Sequence, residues 1–163
     1  LPMSRLAPLP LLLLVIASPL AARESLGVYD GWAAFRDARP LRCYAIAKAE
    51  GAPRKADGAA LPAYATVSTW PERRVRGSLH LVLSRAVADK AALRLDIGDK
   101  RFALIAKGRN AWAPGPREDA AIIAALRAGS RMRVSGGGFT DRYALAGAAS
   151  AIDAATLGCA RRG

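Results

Sequence analysis

His80 is the only histidine in the chain, so histidine-based acid–base chemistry would have to run through it. A general base needs a nucleophile and an orienting group within hydrogen-bond reach. Ser84 lies on the same face of the same alternating segment. Four residues of extended strand, at about 3.3 Å each, put it too far away. Glu118 and Asp119 open a helical pattern, where the positive end of the helix dipole accounts for them. Asp30 and Asp37 flank Trp32 and Phe35 with no partner that the sequence identifies. Cys43 and Cys159 are the only cysteines, and neither belongs to a C-x-x-C pair. One histidine and two distant cysteines do not make a structural zinc set. Gly136-Gly137-Gly138 is followed by Phe139-Thr140-Asp141 rather than the Lys-Ser/Thr of a phosphate loop, so it reads as a hairpin turn. No catalytic site, metal site or cofactor is indicated.

The remaining chemistry is positive charge. The chain has 163 residues, with 25 Lys+Arg against 13 Asp+Glu, a formal net charge of +12. Such a surplus points to a polyanionic partner. Arg73-Arg74-Val75-Arg76 follows Trp70-Pro71. It can engage phosphates with Trp70 as a stacking platform, or be a solvated charged loop. Arg131 and Arg133 occupy outward positions of a strand pattern. With Arg73, Arg74 and Arg76 they form the candidate anion-binding patch. The preference for Arg over Lys carries less weight, because a composition rich in Ala, Gly, Arg and Pro is what a GC-rich genome encodes.

The elements that must hold these residues read mostly as strands. Leu93, Leu95 and Ile97 alternate with Arg94 and Asp96. Gly98-Asp99 follows as a two-residue turn, and then Lys100 to Ala106. The implied register sets Ile97 against Lys100, Asp96 against Arg101, Leu95 against Phe102 and Leu93 against Leu104. Further strands are expected at Leu79–Ser84, Arg131–Ser135, Tyr143–Leu145, Tyr64–Trp70 and Leu41–Ala47, with a weaker one over Val28–Phe35. Residues 48–62 read as a mobile loop. A helix is expected after Pro116, with Ile122, Ile123 and Leu126 as its apolar stripe and Gly129 as its stop. A second, shorter helix is expected to start at Ser150, capped through Asp153, and to end at Gly158. Many strands and two short helices describe a mainly-β sandwich or barrel-like domain.

Residues 1–22 read as a signal peptide: Met3-Ser4-Arg5, an apolar run from Leu9 to Ala17, then Ser18-Pro19-Leu20-Ala21-Ala22. A single domain over 23–163 is expected to follow. Removing residues 1–22 takes away only Arg5 among the charged residues, so the surplus falls from +12 to +11. Export implies a periplasmic or secreted protein. It also argues against intracellular nucleic acid and permits a Cys43–Cys159 disulfide. Two separate buried thiols are the alternative.

Several short motifs recur in this order: Trp32; Arg42-Cys43-Tyr44; Leu93-Arg94-Leu95-Asp96-Ile97-Gly98; Phe102; Ala125-Leu126-Arg127-Ala128-Gly129; Met132 and Val134; Tyr143-Ala144-Leu145-Ala146-Gly147. On these the chain resembles the invasion-associated locus B family of exported alphaproteobacterial proteins. The resemblance implies one immunoglobulin-like β-sandwich, an envelope location and no enzymatic activity. It supplies no catalytic residues. Many members carry further cysteines in mid-domain, which this chain lacks. The expected function is that of a non-enzymatic envelope protein, binding an anionic envelope component or a protein partner through a basic face. The alternative is an enzyme acting on an envelope polymer through a loop-built site.

Overall fold

Alternating apolar and polar residues favour strands, and strands dominate the computed structural model, which describes residues 23–51 and 61–160. The strands are β1 (Arg23–Tyr29), β2 (Trp32–Ala38), β3 (Leu41–Lys48), β4 (Tyr64–Trp70), β5 (Val75–Val87), β6 (Leu93–Ile97), β7 (Lys100–Trp112), β8 (Arg131–Gly136) and β9 (Phe139–Ala144). Two helices, α1 (Pro116–Ala128) and α2 (Ala148–Ala160), complete the described residues. The chain is therefore mainly β with two short helices. The expected signal peptide and most of the expected loop, residues 52–60, lie outside the described residues.

All nine strands join one antiparallel sheet in the order β1-β2-β3-β4-β5-β7-β6-β8-β9. The 13-residue strands β5 and β7 carry the sheet round. Their pairing lapses between Val82 and Val87. The sheet turns back so that β9 meets its other end. Trp32 Nε1 donates to the Ala144 carbonyl at 2.9 Å, and the Glu50 N–H donates to the Arg142 carbonyl at 2.7 Å. Trp32, Leu79, Leu81, Leu83, Leu95, Met132, Val134 and Tyr143 fill the space enclosed.

The β6–β7 hairpin has the register read from its alternation, Ile97 to Lys100 through Leu93 to Leu104. The β8–β9 turn is Gly137-Gly138, both at positive φ, as a tight hairpin requires. The segment expected as one strand over Val28–Phe35 is instead a hairpin. It turns at Asp30-Gly31, with Asp30 at φ 52, and pairs Tyr29 with Trp32. Asp-Gly between apolar runs is a two-residue turn signal, and it outweighs the apparent continuity of the strand. The Arg73–Arg76 segment is not simply a loop. Pro71–Arg73 form one 3-10 turn, and β5 begins at Val75.

Helix α1 starts at Pro116 and stops before Gly129, as its sequence implies. Helix α2 differs. It begins at Ala148, two residues before Ser150, and continues through Gly158 to Ala160. Asp153 is paired with Arg127 of α1 at 2.6 Å rather than acting as a helix cap. Gly158 does not end the helix. A Cβ there would lie 2.5 Å from Leu26 Cδ1, so the glycine lets β1 pack against α2. Gly147, at φ 85, admits the Tyr29 carbonyl where a Cβ would collide with it. Cys43 of β3 and Cys159 of α2 form a disulfide, with S–S 2.06 Å, that fastens the helix to the sheet.

Candidate anion-binding site

The outward face of β6–β9 is set by the alternation that buries Leu93, Leu95, Ile97, Met132 and Val134. Every second residue points away from the core, and many of these are arginine. Cross-strand pairing lines up Arg101 of β7, Asp96 of β6, Arg133 of β8 and Arg142 of β9 in one row. At about 4.8 Å per strand the row spans about 14 Å. Arg94 and Arg131 flank it on the same face. Asp96 is the one carboxylate in the row. Arg94 Nε donates to Asp96 Oδ2 at 2.8 Å, and Arg101 Nε lies 3.5 Å from Oδ1. These partners reduce Asp96 to 9% exposure, although it sits on the outer face. Arg133 and Arg142 are directly opposed, and among the described residues neither has an ion-pair partner. Like charges opposed across a strand pair destabilise a sheet.

A second row crosses the other half of the sheet: Arg23 of β1, Asp37 of β2 and Arg42 of β3, followed by Trp70 at the end of β4. Arg23 Nε donates to Asp37 Oδ1 at 3.0 Å. That bond raises the Arg23 guanidinium above its ordinary range. Arg42 is half-buried. Its guanidinium carbon lies 4.1 Å from the Tyr44 ring centre and 5.0 Å from that of Trp70. Burial lowers its pKa and raises that of the Tyr44 hydroxyl. These residues border a cleft of about 460 Å³.

The five arginines expected as one patch divide between these regions. Arg73 lies over Trp70, its guanidinium 4.7 Å from the ring centre, and Arg74 and Arg76 are exposed beside it. Trp70 therefore already carries two guanidinium groups rather than standing open as a stacking platform. Arg131 bonds Glu50 at 2.9 Å, just beyond the far end of β3. Arg42 and Glu50 are separated by eight residues, roughly 25 Å of extended chain. Arg133 joins the β6–β9 row. Arg23, Asp37, Arg42, Arg94, Arg101 and Arg142 complete the two regions, and the sequence alone gives none of them a place in an anion-binding patch. Only the Asp96–Arg101 pair was readable, because a two-residue turn defines its register.

The other candidates have structural duties. The Asp119 carboxylate accepts the Leu79 N–H at 2.8 Å, joining α1 to β5 as well as meeting the helix dipole. Burial raises its pKa, and the Leu79 and Ser78 hydrogen bonds oppose that rise. Buried Asp141 accepts the Ser84 N–H at 2.9 Å, where β5 and β7 part. Asp37, which had no partner in the sequence reading, holds Arg23. His80 Nε2 is 2.9 Å from Asn110 Oδ1, in an open depression shared with Trp112. Among the described residues no group of three His, Cys, Asp or Glu side chains could hold a metal ion. No described helix is long and apolar enough to cross a membrane. Comparison with family models, curated proteins and solved structures finds no match.

Proposed function

We propose that the protein is an exported, non-enzymatic envelope protein of the invasion-associated locus B type, and that its β6–β9 face binds an anionic envelope surface. The observation that carries this reading is the directly opposed, unneutralised pair Arg133–Arg142 within the arginine row. The fold alone gains nothing from that arrangement, and an anion laid across it relieves the repulsion. The net charge of +12 and the disulfide support the same reading, the latter because disulfides persist in oxidising compartments. Buried Asp141 and half-buried Asp119 are engaged by β5 backbone N–H groups, and buried Asp96 by arginines, which favours binding over acid–base work.

Co-sedimentation with vesicles of phosphatidylglycerol and phosphatidylcholine tests it. Binding should require the anionic lipid and weaken as salt rises. Replacing Arg133 and Arg142 by glutamine should reduce the vesicle affinity, roughly fivefold for each arginine. Equal binding to pure phosphatidylcholine, or indifference to salt, would remove the electrostatic basis of the proposal.

A further inference from the structure

The cleft at the Arg23–Asp37–Arg42 row is separate from the β6–β9 face and has a different construction. Arg23, Arg39 and Arg42 line it with Asp37, and Ala38 and Pro40 supply an apolar wall beside the guanidinium-covered Trp70. Arg23 is already committed to Asp37 at 3.0 Å. Arg42 is not committed to any carboxylate among the described residues. Among the described residues its Nε and Nη2 donate to the neutral Ser68 Oγ, at 3.2 and 3.0 Å. Tyr44 and Trp70 hold its guanidinium plane in place. A partly desolvated, pre-positioned guanidinium is suited to one oxyanion group, because little side-chain freedom remains to be lost on binding. Exposed Arg39 adds a second positive charge at the rim. The volume, about 460 Å³, falls within the range of small-molecule sites.

We propose that this cleft binds a compact ring carrying one oxyanion, a carboxylate or a phosphate. The anion pairs with Arg42 and Arg39, and the ring lies against Ala38 and Pro40. The inference does not depend on the lipid-binding reading, since it uses different residues on the other half of the sheet.

The test is a titration of the full chain, followed by tryptophan fluorescence and by amide chemical shifts. The probes are galacturonate and glucose 6-phosphate, with glucose and inorganic phosphate as controls. Saturable changes at residues 37–44 and 68–70 are expected with the ring anions. The controls should bind about tenfold or more weakly, lacking either the charge-assisted bonds or the ring contact. Saturation by one ring anion alone supports the site and assigns its anion class. Arg42→Gln should abolish the response. Because Arg42 also packs on two aromatic rings, Arg39→Gln provides the second variant. It should weaken binding by about threefold to tenfold, with the melting temperature unchanged. The Arg133→Gln/Arg142→Gln variant should bind the ring anions as the native chain does. Failure of both ring anions to saturate, or native binding by both R42Q and R39Q, overturns the proposal.

Discussion

The sheet repeats one pattern in two places, Arg–Asp–Arg across three adjacent strands, and the two copies differ in character. In the β1–β3 copy, Asp37 is bonded to Arg23, while Arg42 is stacked between aromatic rings and half-buried beside a cleft. In the β7–β6–β8 copy, Asp96 is bonded to Arg94 and Arg101, and a further arginine on β9 extends the row over an open face. Aromatic neighbours fix a guanidinium in one place. A second layer of arginine builds a field instead. The same three side chains thus sit against aromatic rings in one region and in a longer run of arginine in the other.

The largest way to separate the two regions is to remove the disulfide. Cys43 adjoins Arg42 in β3, and the bridge spans 116 residues. Replacing both cysteines by alanine should cost about 4–5 kcal/mol in urea unfolding. Hydrogen exchange should rise more in β3 than in β6, because the bond anchors α2 to the aromatic half. Equal loosening in both would show that the halves open as one unit.

A smaller effect distinguishes the two carboxylates. Asp96→Asn should destabilise the fold by about 1–2 kcal/mol, since two charge-assisted contacts to a buried group are lost. It should also tighten binding to anionic vesicles by taking the one negative charge out of the arginine row. Asp37→Asn should cost markedly less than Asp96→Asn, because its bonded partner Arg23 is largely exposed. It should leave vesicle binding unchanged. Paired unfolding and co-sedimentation measurements check both variants.

The smallest effect lies outside both rows and serves as a control for them. Arg127 holds the Asp153 carboxyl below its ordinary range by a hydrogen bond between the two helices. A depressed carboxyl contributes stability above the unfolded-state pKa and loses it as pH falls through the folded value. Asp153→Asn should therefore lower the melting temperature by about 1–3 °C at neutral pH, the range of an exposed pair. The difference should vanish in acid, with neither row's binding altered at pH 7.

Legibility from sequence followed the range of the interactions. The β6–β7 register was readable because Gly98-Asp99 closes it locally and the apolar pairs must share a face. Helix α1 was readable from Pro116, its acidic first turn and Gly129. The β1–β2 hairpin is masked in the sequence, although Asp30-Gly31 marks it, because the apolar residues on either side suggest one strand. The start of α2 is not legible because Asp153 serves another helix, and Gly158 looks like a stop because its reason lies in distant Leu26. Both are contacts with distant segments. The proposed arginine patch failed to assemble for a similar reason. Which strand lies beside which depends on the sheet order, and β6 and β7 exchange places in it.

The amino-acid sequence by itself determined the mainly-β class, the faces of its strands, the limits of α1 and the excess of positive charge. These follow from side-chain alternation, turn residues and composition, which act within a few positions of the chain. The tertiary structure alone decided which arginines are neighbours. It sent Arg73 to the ring of Trp70 and Arg133 to the β6–β9 face, joined Cys43 to Cys159, and gave Asp96 its arginine neighbours beyond Arg101. Charge surplus is a sum over residues. A binding site is an arrangement of them, and only the closing of the sheet supplies that arrangement.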